Sequence, residues 1–229
     1  MSKWQKEFAN VLSWPGMLIA AYLLLLLWTI LTSDKTRSLV NYSELAMMPV
    51  AVMVTFLAFQ REIGSGFMEI LATYPLSLPR LLLHKWLLSI LTFTACHAVV
   101  VGVYYWQFQQ LKMDIYPWQG GESVWRTVSW WEVYVQALPG FLFMSALAVF
   151  GFMVTRQVYG GLILPFAYWL LEMLMGGLWL PLHTMFLQET DMFVVNRLSH
   201  IVAVVVLIGS SLVLFNRRTR WIAAESDVA

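Results

Sequence analysis

Side chains that could do chemistry are concentrated in residues 61–85, a polar segment between two long apolar runs. The segment reads R-E-I-G-S-G-F-M-E-I-L-A-T-Y-P-L-S-L-P-R-L-L-L-H-K. It is charged, amphipathic and punctuated by Gly64 and Gly66, with the carboxylates Glu62 and Glu69 expected to face water. No base is ordered next to a nucleophile here, as covalent catalysis requires. The segment therefore predicts the docking of a partner rather than catalysis.

Among the ionisable side chains of the apolar runs, Glu172 and His97 are the ones predicted to lie at membrane depth. Ionisable groups at membrane depth are costly and usually face a cavity or a partner, so both are candidates for a substrate path. For Glu172 the alternative is a protonated or paired carboxyl with a structural role. For His97 the alternative is a core histidine that is hydrogen-bonded across helices.

Other catalytic chemistry is not indicated. The histidines are scattered, with no H-E-x-x-H pair and no Cys/His spacing typical of zinc. Neither a G-x-S-x-G elbow nor a G-x-x-x-x-G-K-[S/T] phosphate loop occurs. The single Cys96 excludes an intrachain disulfide, and no basic run suggests nucleic-acid binding. We expect no enzyme, no metal site and no cofactor bound by this chain.

The elements that position these residues are predicted by composition. Of 229 residues, 60% are hydrophobic and only 12% are charged, against roughly 25% charged in soluble domains. A membrane-spanning helix needs about 20 mostly apolar residues. The sequence predicts one all-α integral membrane domain, residues 1–229, with six transmembrane helices at approximately 14–32, 42–60, 80–106, 132–155, 158–180 and 197–216.

The distribution of lysine and arginine predicts the orientation. With the amino terminus in the cytoplasm, that side carries Lys3, Lys6, Arg61, Arg80, Lys85, Arg156, Arg217, Arg218 and Arg220. The opposite side carries fewer: Lys35, Arg37, Lys112, Arg126 and Arg197. Both termini are therefore expected in the cytoplasm. Residues 4–12 are expected to form an amphipathic helix on the membrane surface.

Within the polar segment the apolar residues recur at helical spacing and predict one apolar face: Ile63, Phe67, Ile70, Leu71 and Tyr74. The opposite side carries Glu62, Ser65, Glu69 and Thr73. We expect a short helix over residues 62–74, lying along the cytoplasmic membrane face. Pro75 ends this helix, and Ser77 caps the third span.

The ordered residues of this segment resemble the signature of type 2 permeases of ATP-binding-cassette (ABC) transporters. That signature is R-E-x-x-S-G-x-x-E-x-L, followed by P-[V/L/I]-S and then by a lysine. The matching residues are Arg61, Glu62, Ser65, Gly66, Glu69, Leu71, Pro75, Ser77 and Lys85. The predicted six-span layout extends the similarity over the rest of the chain.

The resemblance implies that residues 62–74 are a coupling helix, gripped by a separate ATPase subunit, and that residues 4–12 are a connecting helix beside it. Family members work as two permeases, identical or not, with two ATPases that bind ATP and Mg²⁺. The chain would then be a multi-pass subunit of a bacterial plasma membrane, surrounded by lipid. Its cargo would be a hydrophobic or amphipathic peptide, lipid-like compound or drug, moved outward.

A second hypothesis does not involve an ATPase: the chain would be an ion-coupled transporter or a membrane assembly factor. Such a transporter needs intramembrane charges or broken helices for ion binding. The segment 176–196 is compatible with re-entrant helices, which the family commonly has there, or with a longer fifth span followed by a surface loop.

Overall fold

The computed structural model describes residues 13–64, 67–74, 77–115, 124–175 and 192–222. Within them the chain is mostly helical, with α1 Trp14–Leu31, α2 Met47–Gly64, α3 Phe67–Thr73, α4 Leu78–Phe108, α5 Trp130–Thr155, α6 Gly160–Met175, α7 Phe193–Asn216 and α8 Thr219–Ile222. A π-helical turn, Asn41–Leu45, precedes α2. The prediction of a helical membrane domain is confirmed at this level.

Among the described residues, five helical stretches are long and apolar enough to cross a membrane: α1, the π-turn with α2, α4, α5 and α7. At the fifth predicted span, α6 has 16 residues. That length rises about 24 Å, less than the roughly 30 Å hydrocarbon layer. The end of this predicted span, 176–180, lies outside the described residues. The predicted surface helix at residues 4–12 also lies outside the described residues, and so do residues 181–191 of the segment 176–196.

Local sequence signals account for several helix ends. At the start of α5, Ser129 and Glu132 form a capping box, in which each side chain bonds the other's backbone N–H. The π-turn ends where Ala46 N–H bonds the Asn41 carbonyl at 3.1 Å. Pro49 has no N–H for the carbonyl four residues earlier, which favours this irregular start. Pro49 falls inside the predicted span 42–60, and in the structure it lies in the first turn of α2.

An antiparallel hairpin between α4 and α5 was not predicted. Strand β1, Lys112–Ile115, pairs with β2, Val124–Thr127, so that Lys112 faces Thr127 and Ile115 faces Val124. Strands of four residues are too short to produce a clear alternation in the sequence.

Helix α5 is the centre of the core. Its buried side chains extend from Val133 through Met144 to Phe152, all fully buried, and it packs against α2, α4, α6 and α7. Helix α1 is peripheral, with only Gly16, Leu26 and Ile30 buried. The antiparallel helices give the bundle two ends. We call the end that carries α3 and the start of α4 the motif end, and the end that carries β1 and β2 the hairpin end.

Candidate functional site

At the motif end an ion pair joins α2 to α4. The Lys85 ammonium lies 2.5 Å from Glu62 Oε1 and also donates a hydrogen bond to the Ala58 carbonyl at 2.8 Å. Both side chains are partly buried, at 21% and 17% exposure. The contact connects residues near the first and last positions of the sequence motif. It also corrects one boundary, because Glu62 belongs to the last turn of α2 rather than to a separate helix over 62–74.

Helix α3, Phe67–Thr73, carries the central part of the motif. Met68, Leu71 and Ala72 are buried, whereas Ile70 and Tyr74 are more than half exposed. The single apolar face predicted over residues 63–74 is therefore divided. The reason is that Ile63 extends α2, so it does not share a helical period with α3. The buried face packs α3 against the helix bundle, whereas the Ile70 and Tyr74 side chains point outward.

The segment that follows α7 holds α3 in place. Arg218 Nη1 donates hydrogen bonds to the carbonyls of Ala72, at 3.1 Å, and Tyr74, at 2.7 Å. These carbonyls belong to the end of α3, where helix carbonyls lack intrahelical donors and favour a cation. Trp221 is buried against Phe215, with ring centroids 5.7 Å apart, and fixes the chain that follows α7. The sequence analysis placed Arg218 only in the charge bias.

The remaining motif residues are distributed around this contact. Arg61 is exposed on the last turn of α2, and Glu69 lies in α3. Ser77 occupies the N-cap position of α4 with extended backbone, as predicted, but its hydroxyl makes no capping hydrogen bond to the described chain. Ser65, Gly66 and Pro75 lie outside the described residues.

A buried charged cluster lies near the hairpin end, and the sequence analysis did not single it out. Glu44, in the π-turn, is fully buried and interacts electrostatically with the Arg197 guanidinium of α7 and with the Gln136 side chain of α5. Gln136 lies six residues, roughly 9 Å, into α5. Neither Glu44 carboxyl oxygen makes a direct hydrogen bond to a side chain in the described ranges. The three residues therefore bring a carboxyl, a guanidinium and an amide together inside the membrane domain.

Arg197 corrects the charge count used for orientation. It was counted with the loop on the outer side, but it is 5% exposed in the second turn of α7. Its guanidinium lies 5.1 Å from the centroid of the Phe193 ring. Glu44 falls inside the predicted span 42–60, and its position there was the available signal for a buried ionisable group.

The structure shows the contacts of His97 directly. Its Nε2 is 2.9 Å from the Ser43 hydroxyl, so the imidazole bridges α4 and the π-turn. Aromatic rings surround it, with the Phe141 centroid at 5.2 Å and the Tyr134 centroid at 5.3 Å. This is the environment of a hydrogen-bonded core histidine. Ser43 and Glu44 are consecutive, so the π-turn directs one to His97 and the other to Arg197.

Glu172 is also buried, with 1% exposure, on α6. Tyr168 lies one turn earlier on the same helix and packs edge-on against Phe143 of α5, with centroids 5.0 Å apart. Phe143 in turn packs against His200 of α7 at 5.4 Å. Glu172 therefore lies one helical turn from the contact of α6 with α5. Its role in a substrate path stays a prediction.

The described part of the chain offers no metal chemistry. No three His, Cys, Asp or Glu side chains come together there as ligands. The arrangement that is observed can do two things: transmit force between α3 and the spans at the motif end, and hold or exchange a charge at the buried cluster.

Comparison with known proteins gives no match: no family model, no curated protein and no solved structure is significantly similar to this chain.

Proposed function

We propose that this chain is the membrane-spanning permease subunit of an ATP-driven exporter of the type 2 ABC class. The observation that carries the proposal is the ordered motif of residues 61–85, in which the partly buried Glu62–Lys85 ion pair joins the two ends. In this proposal the domain has six spans, with α6 as part of the fifth, and both termini are in the cytoplasm. The membrane is the plasma membrane of a bacterium.

In the proposed mechanism α3 is the coupling helix. Its exposed side chains, Ile70 and Tyr74, dock into a groove of the ATPase subunit. Motion of α3 then reaches the end of α7 through Arg218, and the Glu62–Lys85 ion pair makes α2 and α4 move together. Two ATPase subunits bind ATP and Mg²⁺, and a second permease, identical or related, completes the pathway. The cargo is a hydrophobic or amphipathic peptide, lipid-like compound or drug.

The test is isolation of the tagged full-length chain from its native membrane, with identification of co-purifying ATPases. We expect an ABC ATPase with the wild type, and its loss in the double variant Ile70→Ser, Tyr74→Ser. The matched control is Trp125→Ser, which changes a similarly exposed aromatic residue at the hairpin end. The double variant Glu62→Ala, Glu69→Ala should stay folded and lose transport. Equal ATPase recovery from all variants would contradict the proposal.

One observation favours the second candidate function, an ATPase-independent transporter or assembly factor. The buried Glu44, Gln136 and Arg197 supply intramembrane charged and polar groups of the kind that ion-coupled transporters use. The two functions separate in sealed vesicles. Under the exporter hypothesis, cargo accumulation requires ATP and survives a protonophore. Under the second, a protonophore abolishes accumulation and ATP is not needed.

A further inference from the structure

A groove at the motif end lies between the start of α4 and the end of α7, with a volume of about 440 Å³. Pro79 lines one side, and the other side is formed by Leu212, Val213, Asn216 and Arg217. The groove opens where the helices reach the end of the bundle.

The α7 wall of this groove is amphipathic along its length. Val213 and Arg217 are four residues apart, as are Leu212 and Asn216, so each pair lies on the same side of the helix. One helical turn, about 5.4 Å, separates the apolar pair from the polar pair. The groove is therefore apolar toward the membrane interior and polar at its mouth.

The cation Arg217 lines the groove. A second exposed arginine, Arg80, follows the lining residue Pro79 in the first turn of α4. Both are exposed, and neither side chain makes a hydrogen bond or ion pair with a residue of the described ranges. The neighbouring Arg218 differs, because its guanidinium is bonded to α3.

We propose that this groove binds one anionic phospholipid of the surrounding bilayer. The head group lies against Arg217, Asn216 and Arg80, and the start of an acyl chain lies along Val213 and Leu212. Basic pockets between membrane helices select anionic head groups by charge. Free phosphate would leave the apolar wall unused, whereas a phospholipid supplies an anion and a chain at the observed separation. The proposal does not depend on an ATPase partner.

The test uses the full-length chain in nanodiscs of equal parts phosphatidylglycerol and phosphatidylcholine, followed by native mass spectrometry of the lipids that stay bound. These lipids share a phosphate and differ in net charge. The wild type should retain one phosphatidylglycerol in preference. Arg217→Gln should lower that preference about fivefold, the effect of one cation at a membrane surface. The matched control, Arg37→Gln, removes an exposed arginine at the hairpin end and should change nothing.

A second variant separates a groove from general charge attraction. Val213→Trp fills the apolar part and keeps every cation, so it should reduce the retained phosphatidylglycerol although the charge is unchanged. The Val213 and Arg217 side chains are both exposed. An unaltered unfolding midpoint in detergent verifies that the variants fold. The proposal is overturned if the wild type shows no preference, if Arg37→Gln has the same effect as Arg217→Gln, or if Val213→Trp retains lipid like the wild type.

Discussion

Two carboxylates in this protein have different environments and therefore different energetics. Glu62 is partly exposed and directly paired with Lys85, an arrangement that contributes modestly to stability. Glu44 is fully buried and interacts with Arg197 without a direct hydrogen bond among the described residues. A buried pair adds little net stability, but removal of one partner leaves an uncompensated charge. This asymmetry makes Glu44 and Arg197 the residues whose single substitutions should be most harmful.

We predict that Arg197→Gln lowers the free energy of unfolding by about 3–5 kcal/mol, because it removes the cation with which the buried Glu44 interacts. The double variant Glu44→Gln, Arg197→Gln should recover a large part of that loss. Thermal or denaturant unfolding in detergent measures both.

The control for this prediction is Arg126→Gln, which breaks the more exposed pair with Glu132, whose charged atoms are 3.7 Å apart. The loss there should stay below about 1 kcal/mol. If Arg197→Gln and Arg126→Gln are equally stable, Glu44 is not charged in the folded protein, and Glu44 and Arg197 do not form an ion pair.

At the scale of elements, a close helix contact is formed between α5 and the start of α6. A β-carbon built on Gly151 would lie 2.2 Å from the Gly160 carbonyl oxygen, and one on Gly161 would overlap the Phe152 ring. Backbone atoms of the two helices therefore approach each other directly. Such contacts through small residues are how helices associate in membranes, where hydrophobic burial supplies no driving force.

We predict that Gly151→Ala lowers stability by about 1–3 kcal/mol, because the helices must separate to admit one methyl group. Gly102→Ala is the matched control, since it also lies inside a long helix but has no neighbouring atom within 4 Å of the added carbon. That variant should be neutral or more stable by up to about 1 kcal/mol, following helix propensity. The unfolding midpoints of the two variants in detergent measure this difference. Equal midpoint shifts for Gly151→Ala and Gly102→Ala would rule out close packing at Gly151.

The second contact at this scale is that between α3 and the end of α7. Arg218→Gln removes the hydrogen bonds to the Ala72 and Tyr74 carbonyls, so we predict faster amide hydrogen exchange in residues 67–74. A loss of about 1–3 kcal/mol of local stability corresponds to roughly 5- to 150-fold faster exchange. Arg217→Gln, at the adjacent position, should leave exchange in α3 unchanged. Unaltered exchange in both variants would show that Arg218 does not hold α3.

At the scale of the whole molecule, the bundle has one end with the motif and another with the hairpin, and orientation decides which end meets the cytoplasm. The positive-inside rule favours the motif end. Arg197 no longer counts toward the loop charge at the opposite end, so its burial strengthens the bias slightly.

We predict opposite labelling of two exposed positions by a membrane-impermeant maleimide, in a background in which Cys96→Ser removes the only native thiol. Lys35→Cys, at the hairpin end, should react in intact cells. Thr73→Cys, at the end of α3, should react only after the membrane is opened. The reverse result would place α3 outside and remove its proposed cytoplasmic partner.

Much of the helical framework was predictable from sequence, because hydropathy and helix signals are local. Runs of apolar residues located α1, α2, α4, α5 and α7, although α5 begins at Trp130, after the capping box of Ser129 and Glu132, rather than at the predicted residue 132. The hairpin and the π-turn were missed. Strands β1 and β2 are too short for a periodic pattern. The π-turn depends on the backbone hydrogen bonding just before Pro49, which apolar patterning does not report.

The sequence by itself determined that this is a membrane protein and that residues 61–85 are its conspicuous polar interruption, since both follow from composition along the chain. Only the tertiary structure decided which charges meet. Glu62 with Lys85, Arg218 with the carbonyls of α3, and Glu44 with Arg197 are contacts between different helices, and helix packing brings them together. No spacing within one segment encodes such a contact, because it depends on how each helix is rotated toward its neighbours.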